Sequence, residues 1–401
     1  MLRVAGARSA DYDAPQMAKP FSLYIHIPYC VSKCPYCDFN SHVVAEIPEQ
    51  SYVDALLSEL TRYGDSEEWR GRTAQSIFFG GGTPSTFKPE SIGKLLAWSA
   101  ATFPIEADCE ITLEANPGTV DSDKFFGYHD AGINRISIGV QSFQPKLLKF
   151  LGRIHGVEEA QRALEIVRRT NFESFSLDLI YANPGQTLAE LAADLDSALS
   201  FQPPHLSAYN LTFEEGTPFQ HEYRAGKMSS LSEDEEIAMA ELIETKLAAA
   251  GLLRYEISNY AQPNCHSRHN SNYWRGGDYL GVGAGAHSYH RNTDHRTGRR
   301  WSNEKNPAKY IAQVEQTRQA IADLEEVDRN KAAAEFMFLG LRMTEGISPV
   351  AFRERFGEFP WEAFPRIKDL IEGMLLEVKH GFLRLTKKGL LVANSIFVEF
   401  I

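Results

Sequence analysis

Six short segments constrain this chain more than any other feature: FSLYIHIP, SIFFGGGTPS, DCEITLEANP, NRISIGVQSF, SFSLDLIYANPG and HLSAYNLTFEEGTP, all lying between Phe21 and Pro218. Each is built of strand-forming residues and ends in a turn signal. Helix-type stretches separate them. The clearest runs from Thr187 to Ser200, where Thr187 and Glu190 form a capping box and Leu188, Leu191, Leu195 and Leu199 share one helical face. Strand and helix alternating at these spacings imply βαβ units and a parallel sheet.

Four of the strands also have two unlike faces. Phe21, Leu23, Ile25 and Ile27 alternate with Ser22, Tyr24 and His26, and Ile111 and Leu113 with Glu110, Thr112 and Glu114. Ile136, Ile138 and Val140 alternate with Ser137, Gly139 and Gln141, and Phe175, Leu177 and Leu179 with Ser174, Ser176 and Asp178. Successive strand side chains point to opposite faces, so each strand has one greasy and one small or polar side. A doubly covered open sheet favours apolar residues on both faces. The expectation is an α/β fold in the form of an open or closed barrel, with helices outside and a polar lumen. Glu114, Gln141 and Asp178, near the strands' C-terminal ends, then converge at one mouth, where barrel enzymes keep their active sites. Taken singly, each is equally a polar strand end; four strands agreeing favour the barrel.

The 401 residues carry a formal charge of 41 − 53 = −12, an ordinary globular balance with no basic footprint for nucleic acid. No apolar run approaches the ~18 residues of a spanning helix, and the first twenty residues hold no stretch of signal-peptide length. A cytoplasmic location is expected. Residues 1–20 read as a flexible arm and 21–251 as the barrel. Residues 252–324, rich in Gly, Asn, His, Arg and Tyr with little periodicity, read as a connecting region. Residues 325–401 read as a small, mostly helical, winged-helix-like unit.

Five cysteines, three of them within eight residues, suit a metal site better than a disulfide framework. Cys30, Cys34 and Cys37 form C-x3-C-x2-C directly after the first strand. Three thiolates on one short loop can each hold a corner of an iron–sulfur cluster, leaving a fourth iron open for chemistry. The alternative is a zinc knuckle completed by His26 or His42. Gly80, Gly81 and Gly82 follow the second strand and expose backbone to a ligand with no side chain in the way.

With C-x3-C-x2-C, Tyr36 and GGGTPS on one chain, the sequence resembles the radical S-adenosylmethionine (radical SAM) proteins. Within them it is similar to the family that holds oxygen-independent coproporphyrinogen III oxidases and HemW-type heme chaperones, over nearly everything from Leu23 onward. The resemblance implies a partial (β/α)6, TIM-like radical SAM barrel and a [4Fe-4S] cluster on Cys30, Cys34 and Cys37, with S-adenosylmethionine chelating the fourth iron. It implies that Tyr24, Gly81 and Glu114 touch this cofactor. Gly82, Thr83, Gln141, Arg153 and Asp178 match positions that line the same molecule or a second copy. A structural ion pair across the mouth is the other reading of Arg153.

The chain departs from the oxidase pattern in two ways. The oxidases resemble C-x3-C-x2-C-x-C, whereas Phe39 stands two residues after Cys37, and only 29 residues precede Cys30. Both departures argue against porphyrinogen decarboxylation. Instead His269, Asn270, Tyr273 and Trp274 form H-N-x-x-Y-W, which resembles the motif associated with heme binding in HemW-type proteins. Heme takes an axial imidazole, flat aromatic surface and cations near its propionates, which His269, Tyr273 with Trp274, and Arg268 or Arg275 could supply. The bland reading is a polar lid loop held by its own hydrogen bonds. Arg291, Arg296, Arg299 and Arg300 form either a solvated loop or a patch for peripheral contact with anionic lipid. The expected function is a heme chaperone passing heme to acceptors such as membrane-bound respiratory enzymes, with a homodimer possible. The alternative is oxygen-independent oxidation of coproporphyrinogen III.

Overall fold

The computed structural model describes residues 20–401, so the N-terminal arm, apart from Pro20, lies outside the described residues. Six parallel strands follow one another in chain order: β1 Phe21–Ile27, β2 Ala74–Gly81, β3 Ile105–Ala115, β4 Arg135–Gln141, β5 Ser174–Tyr181 and β6 His205–Asn210. Helices cross between them, among them α1 Glu49–Asp65, α2 Pro89–Thr102, α3 Ser122–Asp130, α4 Val157–Thr170 and α5 Leu188–Ser200. This is the α/β barrel that strand alternation predicts, in the partial (β/α)6 form that the family resemblance implies. Leu23, Ile25, Leu113, Ile136, Ile138 and Leu177 are fully buried with Leu56, Leu60, Leu95, Leu164 and Leu195 of the helices in one core. Burying a Leu or Ile side chain contributes roughly 1.5–3 kcal/mol, so this face fixes the strand register. The capping box of α5 forms as read: Thr187 N donates to Glu190 Oε2 at 2.8 Å and Glu190 N to Thr187 Oγ1 at 3.2 Å.

The lumen face is hydroxyl-rich, and its polar groups pair with one another. Ser76 donates to Ser22 at 2.8 Å, Ser137 donates to Asp178 at 3.2 Å, and Ser176 meets His205 Nδ1 at 2.7 Å. These pairs allow a polar lumen inside a dry shell.

The stretch that shows little periodicity in the sequence extends this sheet at both edges. β7 Leu253–Arg254 and β8 Asn259–Ala261 join antiparallel beyond β6. After helix α6 Arg268–Trp274, β9 Tyr279–Val282 adds parallel to β1, and β10 His287–Arg291, β11 Gly298–Asn303 and β12 Ile321–Val327 follow antiparallel. Arg72 reaches the buried Asp278 at 2.6 Å and Arg291 reaches it at 2.8 Å, tying the extension to the barrel. Residues 329–398 form helices, the first α7 Arg329–Gly340, and a hairpin, Leu376–Lys379 with Phe382–Leu385, around a separate core of Met337, Phe352, Phe356, Leu383 and Ile396. α7 is held to the extension by Arg300, which reaches Glu335 at 2.8 Å.

Candidate functional site

The cysteine loop leaves the end of β1 and is pinned to the extension strands beside the barrel. Asn40 Nδ2 donates to the carbonyls of Ala284 (2.9 Å) and Lys305 (3.0 Å), and Cys37 N donates to Cys34 O at 3.2 Å. Cys30, Cys34 and Cys37 are half-buried and line a cavity of about 480 Å³ at the barrel mouth. Thr83 Oγ1 donates to Cys30 Sγ at 3.3 Å and Arg153 Nη1 to Cys34 Sγ at 3.5 Å. Burial pushes the Cys30 and Cys37 thiols up, and the Thr83 hydroxyl opposes this at Cys30. Neither histidine of the zinc alternative lines this cavity. His26 meets the Tyr24 hydroxyl through Nδ1 (3.0 Å) and the Asn40 carbonyl through Nε2 (2.9 Å), while His42 Nε2 meets Asn40 Oδ1 and the Lys305 carbonyl, each at 3.2 Å.

The glycine motif closes against this loop. A Cβ on Gly82 would sit 2.7 Å from the Tyr29 carbonyl oxygen, and Gly81, at φ +117°, lies against the His26 ring. No other residue fits such close approach. Gly81 N donates to Glu114 Oε2 at 3.3 Å. Burial, reinforced by the nearby Asp178 carboxylate, pushes Glu114 up to about 8; burial also raises Asp178. Gln141 ends β4 at φ +71°, a left-handed conformation that costs a non-glycine residue of order 1–3 kcal/mol and is found at ligand sites. Its Oε1 and Arg153 Nε are buried without a protein partner among the described residues. The donor set therefore suits a thiolate-bound cluster and a polar ligand. Cys30, Cys34, Cys37, Gly81, Gly82, Thr83, Glu114, Gln141, Arg153 and Asp178 all line the one cavity, whereas Tyr24 faces another.

That second cavity, about 930 Å³, shares Gly81 and Glu114 with the first and lies between the barrel, the extension strands and α7. His269, Asn270, Tyr273 and Trp274 line it, yet His269 is not free. With Ser76 donating to Ser22, His269 Nδ1 donates to Ser76 (3.0 Å) and Nε2 accepts from the Tyr273 hydroxyl (2.9 Å). Burial lowers its pKa to about 3. Its helix is seated by Glu110, which accepts from the amides of Arg268 (2.9 Å) and His269 (3.0 Å), a favourable charge at a helix N-terminus.

The expected propionate cations stand elsewhere. Arg268 pairs with Glu106 and Asp108, Arg275 is exposed, and neither lines the cavity. The cations that do are Lys33, Arg300, Lys305 and Arg355, none of them legible as such because they come from distant segments. Nor do the four arginines of residues 291–300 make one open patch: Arg291 pairs with Asp278, Arg299 with Glu68, and Arg300 with Glu325 and Glu335.

The chain's likeness to known proteins agrees with this geometry. The Radical SAM superfamily profile matches residues 24–198, and the HemN C-terminal domain profile matches 327–392. In overall fold the chain is similar to the solved coproporphyrinogen III oxidase HemN of Escherichia coli, with a TM-score of 0.80 over 96% of this chain and 90% of that one, at 23% identity. It is a radical SAM protein, a class that works with a [4Fe-4S] cluster and S-adenosylmethionine. It is 41% identical to the heme chaperone HemW of Escherichia coli (strain K12), over 95% of this chain and 98% of that protein. To HemW of Bacillus subtilis (strain 168) it is 35% identical over 95% and 99%. The chain belongs to the HemW heme chaperone family. Among the described residues no helix is long and apolar enough to cross a membrane.

Proposed function

We propose that this protein is a cytoplasmic heme chaperone that carries heme in the larger cavity and hands it to acceptor proteins, membrane-bound respiratory enzymes among them. Cys30, Cys34 and Cys37 hold the cluster. Gly81, Gly82, Thr83, Glu114, Gln141, Arg153 and Asp178 seat S-adenosylmethionine in the smaller cavity, and Tyr24 backs the site from the larger one. When bound, the cluster supplies a reducing electron to a sulfonium ligand. The chain's own residues orient that ligand: Gly81 and Gly82 let backbone approach it, and Arg153 offers a guanidinium to its carboxylate. Burial favours the protonated form of Glu114, which can donate a hydrogen bond to a ribose or amino group and gives up its proton where a cation approaches.

The observation that carries this reading is the second cavity, aromatic and lined by the H-N-x-x-Y-W residues, which shares a wall with the cluster site. Its volume lies within the ~300–1,000 Å³ range of cofactor cavities. The test is to titrate anaerobically reconstituted protein with heme while following the Soret band, and in parallel to supply reductant, S-adenosylmethionine and coproporphyrinogen III. A saturable heme complex with no porphyrin formed is expected. Porphyrin turnover without a stable heme complex contradicts the reading.

A further inference from the structure

Four histidines line the larger cavity: His26, His42, His269 and His287. An axial ligand must offer a ring nitrogen lone pair to iron, and two of the four spend theirs inside the protein: His26 and His269 use both ring nitrogens in hydrogen bonds. His42 keeps the lone pair on Nδ1, but its ring is anchored to the cysteine loop and the extension, because Nε2 donates to the Asn40 side chain and the Lys305 carbonyl. His287 differs. Its side chain is exposed to the cavity and, among the described residues, has no hydrogen-bond partner.

Its place in the sheet adds the rest of a heme seat. His287 stands opposite Ser302 and Tyr289 opposite Arg300, so these four side chains share one face of β10 and β11. Tyr279, opposite Tyr289 on β9, continues that face, and Phe336 of α7 lines the cavity with it. This gives flat aromatic surface beside an imidazole, with Lys305 at hand for a carboxylate. Burial, with the charges of Lys305 and Arg300, lowers the His287 pKa against an opposing pull from Asp323, which keeps the ring neutral and able to ligate.

We propose that His287, not His269, supplies the axial nitrogen to heme in the larger cavity, with Lys305 facing a propionate. This rests on the heme-carrying reading above. His269 is then a positioning residue: through Ser76 and Tyr273 it holds the H-N-x-x-Y-W helix against the barrel.

The experiment compares the full-length, cluster-loaded protein with His287→Gly, His287→Met and His269→Gln, each titrated with hemin and followed by Soret absorption and electron spin resonance. Retention of the cluster absorption reports that each variant is folded. His287→Gly should weaken hemin binding at least tenfold and lose the imidazole-ligated spectrum, and added imidazole should restore that spectrum. His287→Met should bind with a shifted spectrum, and His269→Gln should keep the spectrum of the unaltered protein. If the unaltered protein binds hemin and His287→Gly matches it in affinity and spectrum, the axial assignment is overturned while the carrier reading stands. If the unaltered protein does not bind hemin, both are overturned.

Discussion

The two cavities share six wall residues, Lys33, Asp38, Phe39, Ser41, Gly81 and Glu114, yet they are built in opposite ways. The smaller is made largely of compact motifs: three cysteines within eight residues, a glycine run at the end of one strand, and single polar residues at the ends of the next three. The larger gathers side chains from Tyr24 to Arg355, on the barrel, the extension strands and α7. A site written into short motifs depends chiefly on the barrel, with the extension reaching it through the Asn40 anchor of the cysteine loop. A site assembled from three layers depends on whatever holds those layers together: Leu280, Val282 and Trp301 buried in the barrel core, Tyr289 and Val327 buried in the core of the C-terminal unit, and the ion pairs of Arg72 and Arg291 with Asp278 and of Arg300 with Glu335.

This contrast is open to direct attack. Asp278 is buried, and although burial opposes ionisation, the Arg291 and Arg72 guanidiniums hold its carboxyl below the usual range. Asp278→Ala removes the buried carboxylate that Arg72 and Arg291 share, and breaking a buried ion pair costs about 3–5 kcal/mol. Urea unfolding should show that loss. Hydrogen exchange should quicken in β9, β10 and β11 before it quickens in β2 to β5. Uniform quickening across the whole sheet would mean that the two cavities are one cooperative unit.

A smaller effect separates them by pH. On the larger cavity His269 and His26 are buried neutral, lowered by burial to about 3 and about 4. The unfolded chain, with histidine near 6.5, takes up these protons first, so their contribution to stability is lost as pH falls from 6.5 toward 3. On the shared wall Glu114 is raised by burial to about 8. The folded state holds that proton longer, so its contribution is lost as pH rises from about 4.5 through 8. The unfolded histidines are still partly protonated near pH 6.5 and oppose the Glu114 effect there, so the Glu114 effect dominates only from about pH 7.5 to 8. Ligand-free protein should therefore lose up to about 1 kcal/mol per pH unit there, and Glu114→Gln should remove that decline in urea titrations.

What the sequence reveals follows the same division. Strand alternation reads the barrel because half-buried strands with one greasy face carry a period of two, and it picks Glu114, Gln141 and Asp178 for the same mouth. Cysteine spacing and the glycine run read the smaller site because their chemistry is local. The extension strands escape notice because they are two to seven residues long and their cavity face is polar or charged, as with His287, Arg300 and Glu325. The H-N-x-x-Y-W motif shows in the sequence, but the engagement of its histidine by Ser76, 193 positions away, does not. Arg268 beside that histidine invites a role at the cavity, while pairing with Glu106 and Asp108 turns it away. Pairing partners distant in the chain decide which charges remain available, and no local pattern encodes them.

The most direct test is the low-temperature electron spin resonance of anaerobically purified, dithionite-reduced protein before and after addition of S-adenosylmethionine, with iron, sulfide and zinc measured on the same sample. The account predicts about four irons and four sulfides per chain and a reduced-cluster signal that changes when the sulfonium ligand binds at the open iron. Stoichiometric zinc with no such signal, or a cluster signal indifferent to the ligand, would contradict it.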